Sequence, residues 1–95
     1  MNAWQKIEQL GGRTLHTIGK ARKFTLDIVR PAYLVVIPDG GDPRLIRRGV
    51  MERAAAIRSA EGPLTRARLV AEFPGSRNSS YIVAIVEELA KASEA

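Results

Sequence analysis

The chain has 95 residues, of which 45% are hydrophobic and 26% are charged, and this size and composition predict one globular domain. It contains no cysteine, which excludes disulfides, zinc fingers and iron–sulfur clusters, and its longest apolar run, residues 32–37, is far too short to span a membrane. Its formal net charge is +5. Because residues 1–12 lack the apolar core of a secretory signal, we expect a cytoplasmic protein.

A short helix is predicted first. Apolar residues recur at intervals of three to four over residues 3–10, Asn2 precedes them as a potential N-cap, and Gly11-Gly12 ends the pattern.

Strands follow the helix. Residues 14–18 are β-prone, and residues 23–28 alternate so that Phe24, Leu26 and Ile28 share one buried face. Residues 33–37 are apolar throughout, which predicts a strand buried on both faces. The short link at 30–32 predicts that these last two strands form a hairpin.

The segment after the turn cluster at 38–43 has two interpretations. Asp42-Pro43 is typical of a helix start, whereas Arg44 to Arg47 fits a short edge strand. We favour the strand, followed by a helix over about 48–59 that buries Val50, Ala54 and Ile57.

Two further helices are predicted in the last third. Thr65 can cap a helix that runs through Phe73, with Leu69, Val70 and Phe73 facing inward. A final helix is predicted from near Asn78 to about Ala92, with a frayed tail at 93–95. Its buried stripe comprises Ile82, Ile85, Val86 and Leu89.

These elements predict an α+β fold. A small antiparallel sheet of three to four strands, within about residues 13–47, would pack on a helical bundle that ends in a helix-turn-helix over about 64–91. The whole would form a single domain of residues 1–92.

The positive charge is concentrated in one part of the chain. Residues 13–48 carry eight basic and three acidic side chains, whereas residues 49–95 carry six of each sign. A solvated basic surface is one interpretation; contact with DNA phosphates is the other. On the second interpretation, the residues predicted to contact the DNA backbone are Arg13, Lys20, Arg22, Lys23, Arg47, Arg48, Arg66 and Arg68.

The start of the last helix is a candidate base-reading segment. In helix-turn-helix units the first residues of the second helix contact base edges, where Arg makes bidentate hydrogen bonds to guanine and Asn to adenine. The alternative is that Ser76, Asn78 and Ser79 only cap the helix and that Tyr81 packs on the sheet. The predicted base or groove contacts are Ser76, Arg77, Asn78, Ser79, Ser80 and Tyr81.

The sequence from Ser76 to Val86, with the order of strands and helices before it, carries a family resemblance. The chain resembles winged-helix-like modules of bacterial DNA-binding and restriction-type proteins. It is similar to the N-terminal module of some modification-dependent HNH restriction endonucleases, although it has no HNH segment. The resemblance implies a DNA-reading part without a nuclease.

Catalytic constellations are not evident, and we predict no enzymatic activity, cofactor or metal. His16 is the single histidine, and the turn residues Asp39 and Asp42 flank glycines for backbone reasons. The predicted function is binding of double-stranded DNA by a small repressor-like or accessory protein. Two alternatives are a module that binds an acidic protein surface and an RNA-binding sheet, for which Phe24 and Tyr33 are the strand aromatics.

Overall fold

A computed structural model describes residues 2–94, apart from the side chains of Ile28, Ser93 and Glu94. The fold is α+β, as predicted, with four strands and four helices in this part of the chain. In chain order the elements are α1 (Ala3–Glu8), β1 (Thr14–His16), β2 (Lys23–Val29), β3 (Tyr33–Pro38), β4 (Arg44–Arg47), α2 (Arg48–Glu61), α3 (Arg66–Glu72) and α4 (Ser79–Glu94).

The sheet is an antiparallel meander in the order β1-β2-β3-β4. The 30–32 link forms the predicted hairpin, and a register shift between Leu26 and Ile28 bulges β2. The segment after the turn cluster is a strand, as favoured, because it pairs with β3 in the register Arg47 to Tyr33. Both edges of the sheet, β1 and β4, therefore lack a further strand partner in the described chain.

One face of the sheet is covered by helices and the other is open. β3 shows this best: Leu34 and Val36 are fully buried, whereas Tyr33, Val35 and Ile37 are half-buried. The prediction that this strand is buried on both faces was wrong, because no described element packs on the outer face. The buried residues of the inner face are Leu15, Phe24, Leu26, Leu34, Val36 and Ile46.

Helix α4 runs through the middle of the helical layer. The predicted stripe is buried, and Val83 and Ala84 are buried as well, so all of residues 82–86 are inside. Successive residues of an α-helix are about 100° apart, so five in a row point in every direction around the axis. The middle of α4 is therefore enclosed, with α1, α2, α3 and β1 as neighbours.

The helix ends mostly follow their local signals. Asn2 caps α1 in a capping box with Gln5, although the helix ends at Glu8 rather than residue 10. Thr65 caps α3 by accepting a hydrogen bond from the Arg68 N–H. The α4 backbone continues to Glu94, two residues beyond its predicted end, and Ala95 lies outside the described residues.

Two predictions of buried residues were wrong. On α2, Ala54 and Ile57 are buried as predicted, but in the first turn the core residue is Met51, while Val50 is only half-buried. On α3 the core residue is Leu69, and the side chain of Val70 is 47% exposed. Both valines sit next to the buried residue, about 100° round the helix, where no neighbouring element covers them completely.

Candidate nucleic-acid interface

The first turn of α4 meets one end of the sheet. The Tyr81 ring packs edge-on against Phe24 at the start of β2, with 5.2 Å between ring centroids. The Arg44 guanidinium, at the start of β4, lies 5.7 Å from the centroid of the same ring. The β1–β2 loop and the β3–β4 turn are at this end as well, because Lys23 pairs with His16 and its carbonyl accepts from the Asp39 N–H.

The β1–β2 loop, residues 17–22, is closed by its own hydrogen bonds. The Thr17 N–H donates to the Arg22 carbonyl at 2.9 Å, and the Arg22 N–H donates to the Thr17 hydroxyl at 3.0 Å. Thr17 is buried, whereas Lys20, Arg22 and Lys23 are exposed. The loop thus exposes basic side chains on a backbone that is held by hydrogen bonds.

The predicted base-reading residues around the start of α4 are exposed to very different extents. Arg77 is exposed, and Ser79 is only 4% exposed. The Ser76 hydroxyl accepts from the Asn78 N–H at 3.3 Å, and the Asn78 carbonyl accepts from the N–H groups of Tyr81 and Ile82. Capping geometry therefore accounts for much of this segment.

Four members of the same segment are half-buried: Ser76, Asn78, Ser80 and Tyr81. The Asn78 Oδ1 atom is buried without a hydrogen-bond partner in the described chain, so it does not face solvent. Ser80 is half-buried, and Tyr81 is held by Phe24 and Arg44. Of the six predicted contacts, only Arg77 is fully presented to a ligand outside the domain.

Arg68, one of the predicted phosphate contacts, is committed to two carboxylates. It binds both oxygens of Glu61, at 2.9 and 3.0 Å, and one oxygen of Glu72 at 3.2 Å. Glu72 also accepts from Arg53, so the four side chains tie α2 to α3.

These ion pairs shift the pKa values of the groups that form them. The hydrogen bond from Arg68 holds the pKa of Glu61 below its ordinary value, and those from Arg53 and then Arg68 do the same for the pKa of Glu72. The two acids, Glu61 first, raise the pKa of Arg68.

Arg13 and Arg48 are also paired. Arg13 lies 3.8 Å from Glu88. Arg48 lies 3.2 Å from Glu52, donates to the Pro31 carbonyl and stacks over the Trp4 ring.

Arg47 and Arg66 have no ion pair in the described chain, and both are exposed. Arg47 sits at the far end of β4 from Arg44, beside the β2–β3 hairpin. At about 3.3 Å per residue, the two arginines are about 10 Å apart. Arg13, Arg48 and Arg68 are paired with glutamates. Arg47 lies at the opposite end of the sheet from the β1–β2 loop, so the predicted phosphate contacts do not form one surface.

One end of the sheet does bring charges together. Arg44, which sequence reasoning left out of the site, joins the group because of its contact with Tyr81, and no local pattern indicates that contact. The two acids of the β3–β4 turn are at the same end. We call this group the loop-end cluster; it comprises Lys20, Arg22, Lys23, Arg44 and Arg77, with Asp39 and Asp42 beside it.

No protein-family model, curated protein or solved structure matches the chain. Within residues 2–94, no group of three or more His, Asp or Glu side chains is arranged to hold a metal ion. No helix in this part of the chain is long and apolar enough to cross a membrane.

Proposed function

We propose that this domain binds double-stranded DNA through the loop-end cluster. The observation that carries the proposal is that segments bearing five basic residues and two acids meet at this end of the sheet, and none of these residues has an ion pair in the described chain. Phosphate oxygens are the natural partners of such a group, since each bound cation releases counterions from the duplex.

The rest of the molecule supports this choice by contrast. On the helical layer the arginines are largely neutralised by neighbouring glutamates, as in the Arg58–Glu87 pair at 2.7 Å. On the sheet and its loops, none of the basic residues between 14 and 47 forms an ion pair with a described residue. The positive field therefore extends from the sheet side and its loops.

The enclosed position of α4 determines the expected mode of binding. A helix that lies lengthwise in the major groove must expose one face, but residues 82–86 have none. Only the start of α4 can approach DNA, end-on, with Arg77 and the positive end of the helix dipole toward the duplex. We therefore propose mainly phosphate contacts and a modest sequence preference carried by Arg77.

The wider role remains a proposal as well. The resemblance to restriction-type DNA-binding modules supports an accessory recognition protein rather than an enzyme. We also propose that it acts in the cytoplasm. Sheet-face RNA binding is less well supported, because Phe24 is buried in the core and Tyr33 is only half-exposed.

The test is the salt dependence of binding. Fluorescence anisotropy with a labelled random duplex should give a slope of log affinity against log salt that flattens by about 2 in the Arg22→Ala/Lys23→Ala variant, at about 0.9 per phosphate contact. Arg47→Ala is the matched control, because it removes another exposed arginine, at the other end of the sheet, and its slope should match that of the original chain.

Either of two results would contradict the proposal. One is an unchanged slope in the double variant; the other is equal affinity for the duplex and for single strands of the same length. Circular dichroism of each variant separates loss of binding from loss of folding.

A further inference from the structure

The free edge of β4 borders an apolar groove that is lined by none of the residues of the loop-end cluster. The groove has a volume of about 730 Å³ and lies between β4, the first turn of α2 and the end of α3. Its apolar lining is contributed by Tyr33, Leu45, Val50 and Phe73.

Two elements that line this groove carry exposed apolar side chains. Leu45 is 52% exposed and Val70 is 47% exposed, and in the described chain Ile18 is the one other large apolar side chain that is exposed. Val70 lies about one turn before Phe73 on the same face of α3. β4, which lines the groove with Leu45, and α3, whose end lines it with Phe73, thus each leave an apolar side chain in water.

The backbone of β4 also has unused hydrogen-bonding groups. The Arg48 N–H donates to the Ala32 carbonyl, which makes this a hydrogen-bonded pair of the β3–β4 ladder. Because bonded and non-bonded pairs alternate in antiparallel ladders, Leu45 and Arg47 direct their N–H groups away from β3. No described group accepts from them, so the edge can take another strand.

The charges beside the groove are unpaired and positive. Arg47 is on β4, and Arg66 lies on the α3 stripe that continues through Val70 to Phe73. The glutamates at the start of α2 and the end of α3 are already bound, since Glu52 pairs with Arg48 and Glu72 with Arg53 and Arg68. An occupant that supplies carboxylates would complement this surface.

The same charges argue against a second copy of the chain. Pairing two β4 edges would bring Arg44, Arg47 and Arg48 of each copy along one seam, and like charges across a strand pair are destabilising. Only Arg48 of these three has a carboxylate partner in the described chain.

We infer that the β4 edge binds an extended acidic segment of a partner protein, which adds to the sheet as a fifth strand. Backbone bonds to Leu45 and Arg47 hold the segment. Alternate apolar side chains enter the groove, and carboxylates meet Arg47 and Arg66.

The test uses a fluorescein-labelled peptide of alternating glutamate and valine. It should bind saturably and protect the amides of Leu45 and Arg47 from hydrogen exchange. A matched peptide with lysine for glutamate should not bind. Equal binding of the lysine peptide, absence of binding up to millimolar concentration, or binding without protection of these two amides would each overturn the inference.

Matched variants locate the site. Leu45→Lys and Arg47→Glu should each lower the affinity for the glutamate peptide by about tenfold. Ile18→Lys and Arg22→Glu change exposed residues elsewhere and should alter the affinity for this peptide by less than about twofold. Equal losses in all four variants would mean non-specific charge attraction and overturn the assignment.

Two further outcomes identify other occupants. Self-association in sedimentation velocity that Leu45→Lys abolishes would assign the edge to a second copy. Loss of duplex binding in Arg47→Glu, with Arg22→Glu unaffected, would assign it to DNA and overturn both proposals. If the peptide does not bind but the domain still binds the duplex, only the inference about the β4 edge is overturned, and the proposed DNA binding stands.

Discussion

The enclosure of α4 makes a quantitative prediction about two valines. Val83, in the middle of α4, is 4% exposed, whereas Val70 on α3 is about half exposed. Val83→Ala removes the equivalent of two buried methylene groups, worth about 1.6 kcal/mol, and leaves a small cavity, so the total cost is about 2 kcal/mol. Val70→Ala should stay within about 0.5 kcal/mol.

The two variants are matched because both replace valine by alanine inside a helix, so the gain in helix propensity cancels in the comparison. For a domain of this size about 1 kcal/mol shifts Tm by about 4–8 °C, and thermal unfolding followed by circular dichroism should therefore show Val83→Ala lower by roughly 8–16 °C. Equal shifts in the two variants, or a larger loss at Val70, would refute the enclosed position of α4.

Two other predictions concern the loop and the charged network. Ala21, in the β1–β2 loop, has a positive φ of 52°, a conformation that costs alanine more free energy than glycine. Ala21→Gly should therefore raise the free energy of unfolding by about 0.5–1 kcal/mol, whereas Gly19→Ala, at φ 94°, should lower it. Denaturant unfolding in which both variants shift in the same direction would contradict this. Since the pKa values of Glu61 and Glu72 are lowered in the fold, the stabilisation they provide is complete above their ordinary pKa of 4.5 and is lost as pH falls through the lowered values. Arg68→Gln should therefore lower Tm near pH 7 and differ less from the original chain below about pH 4.5, and a deficit that is independent of pH would count against the network.

Much of the fold follows from local sequence signals. Caps such as Asn2 and Thr65 and the turn residues at 38–43 mark element boundaries with little help from the rest of the chain. The 44–47 segment is different: its sequence fits two structures, and pairing with β3 decides for the strand. Tertiary contacts also decide which of two adjacent residues is buried, as at Met51 and Val50.

The candidate site was less predictable than the fold. Charge and composition indicated basic residues, but they could not show that Arg68 is bound by two glutamates or that Ser79 is buried. Both facts depend on which helix faces meet, and a single sequence does not specify that. For the same reason Arg44 was found only through its contact with Tyr81.

A chemical-shift map of the isotopically labelled domain with an unlabelled random duplex tests DNA binding most directly. We predict perturbed amides in residues 18–23, at Arg44 and in residues 77–80, with residues 45–50 and 70–73 unchanged. The perturbations should weaken as salt is raised. Shifts confined to the outer face of the sheet or to the β4 edge, with residues 18–23 and 77–80 unmoved, would contradict the proposed interface.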